Sequence, residues 1–110
     1  MQNIILAFKP WLDADPYLDI CRSDKFGWVC IDRMSVDNVE VFCQFPEDSQ
    51  QLLTVLSVWF YDRAAGETAR EAADNALDAM RPYLRQLPQH LAEVARITLE
   101  VYAKVDDTAP

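Results

Sequence analysis

The sequence predicts an α+β fold: an N-terminal helix, an antiparallel meander of three or four strands, then one or two C-terminal helices packed on the sheet. Three observations predict it. Apolar residues near the start recur with helical spacing, the period shortens to two between residues 17 and 61, and alanines accumulate at helical spacing beyond residue 66. A length of 110 residues suits a single domain, 1–110, with one core.

The elements follow in order. Ile4, Ile5, Phe8, Trp11 and Leu12 form an amphipathic stripe, which predicts a helix over 1–12, shortened or kinked by Pro10. Asp13-Ala14-Asp15-Pro16 reads as a turn. The segment 17–61 is expected to be sheet. Leu18 and Ile20, then Phe26, Trp28 and Cys30, then Val39, Val41, Cys43 and Phe45 alternate along three runs separated by polar turns. The run Leu52 to Tyr61 is rich in β-branched and aromatic residues, which predicts a central fourth strand. The segment 66–105 is expected to be mainly helical. Ala69, Ala72, Ala73, Ala76, Leu77, Met80 and Leu84 share one face of a first helix, which Pro82 should bend or end. After Pro88 two patterns overlap. Leu91, Val94, Ala95, Thr98, Val101, Tyr102 and Val105 fit a helix, while Ile97, Leu99, Val101, Ala103 and Val105 alternate as in a strand. The helix is preferred because the pattern outlasts an ordinary strand. Residues 106–110 read as a frayed tail.

Charge narrows the function. Ten Lys and Arg against eighteen Asp and Glu leave a formal charge of −8, and the basic residues are dispersed, so no nucleic-acid partner is expected. Nine acids between Asp13 and Asp48, opposed by Arg22, Lys25 and Arg33, place −6 of that charge in one third of the chain. Such a run is either a solvated face or a docking surface for a basic protein. Two glycines, Gly27 and Gly66, are too few for a phosphate-cradling loop. The opening MQNIILAFKPW has no basic leader region and is interrupted by Lys9, so neither a signal peptide nor a membrane span is expected.

Catalytic and metal-binding arrangements are not expected, and no cofactor is implied. Cys21, Cys30 and Cys43 lack metal-ligand spacing, fall in apolar runs and read as small buried hydrophobes of a reducing cytoplasm. The single His90 lies far downstream, and none of Ser23, Ser35, Ser49 or Ser57 sits in a nucleophile elbow. The carboxylate pairs Asp13/Asp15, Glu47/Asp48 and Asp74/Asp78 read as turn or helix-surface groups. A small enzyme using a buried cysteine or paired carboxylates is the remote alternative.

The expected role is therefore partner binding without catalysis. Candidate contacts are Asp13, Asp15, Asp24, Asp37, Glu47 and Asp48, placed in turns where side chains reach outward, together with Trp59 and Tyr61. The run Val58-Trp59-Phe60-Tyr61 offers bulk to both faces of a strand, and a homodimer or a foreign protein could cover the second face. An immunity protein, antitoxin or inhibitor masking a basic toxin or enzyme fits best. The order of helix, antiparallel strands and C-terminal helix from Ile4 to Tyr61, with small size and low pI, resembles bacterial type III secretion chaperones in outline. That resemblance implies binding of a secreted effector, and the helix-rich half after Gly66 departs from it. A phage or plasmid accessory protein that blocks a host system is a third class.

Overall fold

A computed structural model describes residues 2–15, 18–25, 27–32 and 41–108. The chain divides into two compact units, Met1–Glu47 and Asp48–Pro110.

The first unit opens with α1, Gln2–Ala14, whose Ile4, Ile5, Ala7, Phe8 and Leu12 are buried. Pro10 lies inside this helix and removes one backbone donor, yet the helix continues for another turn. Lys9 and Asp13, four residues apart, pair at 2.7 Å across that point. Three strands follow: β1 Leu18–Ser23, β2 Gly27–Asp32 and β3 Val41–Gln44, in the spatial order β1-β2-β3. Both pairings are antiparallel. Ser23 stands opposite Gly27 and Leu18 opposite Asp32, while Val29 stands opposite Gln44 and Asp32 opposite Val41. The neighbours Val29 and Cys30 point to opposite faces and are both buried, so β2 is covered on both sides.

The second unit is helical: α2 Ser49–Arg63, α3 Ala69–Leu84 and α4 Gln89–Thr108. Each of the three packs against the other two. Ala73, Ala76, Met80 and Leu84 of α3 face a seam to which α4 brings Leu91, Ala95, Leu99 and Ala103. The alternation of small and large residues lets the two helices approach closely.

The expected α+β architecture does not hold. The chain is mainly helical, with four helices of 13, 15, 16 and 20 residues among the described residues and a small sheet confined to 18–44. The segment expected as a central fourth strand is α2. Its residues are apolar on every side, so alternation fitted them as well as helical spacing did. Its start is set locally: Asp48 is the N-cap, its carboxylate accepting from the Gln51 amide at 3.0 Å. Three helices follow the sheet, where one or two were expected.

Smaller expectations also change. Pro82 lies within α3, which ends only at Leu84. The overlap after Pro88 resolves as helix, and α4 runs on to Thr108 through part of the tail expected to fray. Its buried face is turned from the expected one: Leu99 and Ala103 are inside, while Val101 and Val105 are exposed. That buried face is the one α4 turns to α2 and α3, against which it packs.

Candidate functional site

The antiparallel register decides which of the acidic candidates meet. β1 and β2 are joined by the turn carrying Asp24 and Lys25, both exposed. β3 runs antiparallel to β2, with Gln44 opposite Val29, so the chain leaving β3 heads for the same end of the sheet. Exposed Glu47 follows three residues later. The fold therefore gathers Asp24 and Glu47 at one end of the sheet, though they lie 23 positions apart in sequence.

The remaining acids divide. Asp13 is not in a turn but in the last turn of α1, where Lys9 holds it. Asp15, half-buried, follows that helix, and its amide donates to the Leu12 carbonyl at 3.3 Å. Asp19, a residue not among the expected contacts, is exposed on β1 opposite Ile31. Asp15 and Asp19 thus lie toward the end of the sheet away from Asp24. Asp48 is exposed but serves the α2 N-terminus as its cap. Asp37 lies outside the described residues. The expected six-carboxylate surface is thus not one patch.

Trp59 and Tyr61 were expected on a strand, where residues two apart share a side. On α2 they stand about 200° apart and flank the buried stripe Leu52, Leu53, Leu56 and Phe60 on opposite sides. The Arg63 guanidinium lies over the Trp59 ring, 5.8 Å from its centroid. Tyr61 belongs to the α2–α4 seam: its ring lies 5.7 Å from that of Tyr102, and its hydroxyl donates to the Asp106 carboxylate. Phe60 reaches Tyr83 of α3 at 6.2 Å. The aromatic run therefore binds the second unit together at several points.

Cys30 is fully buried and in no disulfide. The side chains of Cys21 and Cys43 are outside those described. His90 is exposed in the first turn of α4. Among the described residues, no group of three or more His, Cys, Asp or Glu is placed to hold a metal ion.

A groove of about 360 Å³ runs between α3 and α4, floored by Leu77, Leu84 and Ala92 and edged by Arg81, Arg85, Arg96 and Glu93. Its arginines are largely answered by neighbouring carboxylates. Arg81 meets Asp78 at 3.1 Å, and Arg96 meets Glu93 at 2.9 Å and Glu100 at 3.1 Å. Hydrogen bonding to Glu93, reinforced by its charge and by Glu100, raises the Arg96 pKa above its already high value. None of the described helices is long and apolar enough to cross a membrane.

No family model matches the chain, and neither a curated protein nor a solved structure matches it.

Proposed function

We propose that the chain is a non-catalytic binding protein of the inhibitor, immunity-protein or antitoxin kind, whose acidic N-terminal unit docks on a basic protein in the cytoplasm. One observation carries this reading: the antiparallel register brings exposed Asp24 and Glu47, distant in sequence, to one end of the sheet. Carboxylates at a turn keep their hydration and their reach, so they steer an oppositely charged partner from a distance and form ion pairs on contact.

The test is an association-rate measurement. The full chain is immobilised and titrated with poly-lysine as a basic polypeptide, at low and at high salt. Binding whose on-rate falls steeply with salt, and drops several-fold at low salt in the Asp24→Asn, Glu47→Gln double variant, supports the reading. Binding indifferent to both salt and the double variant overturns it.

A further inference from the structure

The strand register sets two of the three cysteines directly opposite one another. Cys30 lies on the central strand β2 and Cys43 on the edge strand β3, and the two are partners in the antiparallel ladder. Such partners share one face of the sheet, with Cα atoms about 4.5 Å apart in non-hydrogen-bonded pairs and about 5.5 Å apart in hydrogen-bonded ones. Both separations fall within the roughly 4.4–6.8 Å that a disulfide spans without backbone movement. Cys21 is excluded by the same register. It stands opposite Val29, the neighbour of Cys30, and so belongs to the other face of the sheet.

A bond between Cys30 and Cys43 would have a mechanical consequence. Residues 33–40 join β2 to β3, so the bond closes that whole connection and removes conformations from the unfolded chain. It also holds β3 in the register where Gln44 opposes Val29. Cys30 is completely buried, so its sulfur is reached from within the sheet and not by a reagent from solution.

We propose that Cys30 and Cys43 are a redox pair, which a small-molecule disulfide oxidises to an intramolecular disulfide joining β2 to β3. Exchange begins at Cys43, on the edge strand. Its thiolate attacks one sulfur of the oxidant, the oxidant's S–S bond breaks, and the other half leaves as a thiol. The Cys30 thiolate then attacks the Cys43 sulfur of this mixed disulfide and displaces the second half. Two electrons pass from the cysteine sulfurs to the oxidant, and the two cysteine protons leave on its two thiols. An excess of small thiol runs the same exchange backward.

The full chain is equilibrated in native buffer with oxidised glutathione at rising excess over the reduced form, then quenched with acid. Mass spectrometry should find the chain lighter by two hydrogens, and a protease digest should contain one cross-linked peptide pair, Cys30 with Cys43. The urea midpoint rises on oxidation and falls back when dithiothreitol is added. Cys43→Ser abolishes both the cross-link and the shift, whereas Cys21→Ser keeps both. A wild type that retains both cysteines as thiols at the highest excess of oxidised glutathione overturns the proposal, and that readout needs no variant. A chain that stops at the mixed disulfide with glutathione, or whose cross-link involves Cys21, overturns it equally.

Discussion

Gly66 shows how one residue without a side chain can set the path between two helices. A Cβ at this position would stand 2.7 Å from the Ala72 amide nitrogen and 3.0 Å from the Glu71 Cβ. The loop therefore runs directly against the first turn of α3, and its neighbours hold it there. Asn75 donates from α3 to the Ala65 carbonyl at 2.5 Å, and the Glu67 amide donates to the Glu71 carboxylate at 3.1 Å. Backbone, not a flexible side chain, blocks the space, so relief requires moving the loop or the helix. Gly66→Ala should lower stability by about 1–3 kcal/mol, read as a reduced urea midpoint with an unchanged slope. A variant as stable as the wild type would mean that this approach is not held in solution.

At the level of elements, caps decide where helices begin when periodicity cannot. Asp48 caps α2, and Thr68 caps α3 with its hydroxyl accepting from the Glu71 amide at 3.1 Å. Asp48→Ala should cost about 1 kcal/mol and fray the first turn of α2, seen as faster amide exchange at Gln50 and Gln51 than in the wild type. Equal exchange in both proteins would count against the cap. The same residue explains a misreading. Asp48-Ser49-Gln50-Gln51 carries the spacing of a cap ahead of an apolar run, a legible signal for helix that its turn-like composition obscured. Within α2, buried Ser57 donates to the Leu53 carbonyl at 2.6 Å, so even the polar residue of the buried stripe is satisfied inside the helix. α3 was legible because its alanines and leucines occupy one side and its charges the other. For α4 the type was legible and the buried face was not, since Val94 and Val101 are as apolar as Leu99 and Ala103.

For the whole molecule, charge and division into units have separate consequences. The isoelectric point lies near 4.4, so titrating the carboxylates removes the repulsion that keeps copies apart. Solubility should pass through a minimum near that pH and rise on either side, as light scattering would show; a flat profile would leave the acidic surplus without this role. The second unit has its own seam of Ala73, Ala76, Met80, Leu91, Ala95 and Leu99, joined by the Tyr61 contacts with Tyr102 and Asp106. A fragment spanning 48–110 should therefore keep a helical circular dichroism spectrum and unfold in one cooperative step. A fragment that is random coil would show that this seam alone cannot hold three helices. Of the candidate contacts, the acidity and turn placement of Asp24 and Glu47 were legible. Their meeting at one end of the sheet was not, because strand register is a long-range property.

By itself the sequence determined the acidic surplus, the N-terminal helix, the alanine-rich α3 and the composition of every turn that bears a charge. These are local: they depend on side-chain spacing, intrinsic propensity and net charge, all countable along the chain. Only the tertiary structure decided that Leu52 to Tyr61 is helix, which side of α4 is buried, and which carboxylates share an end of the sheet. Each of those choices is made between patterns of nearly equal apolar content. The deciding term is how well one face fits its neighbours in space, which no window of sequence contains.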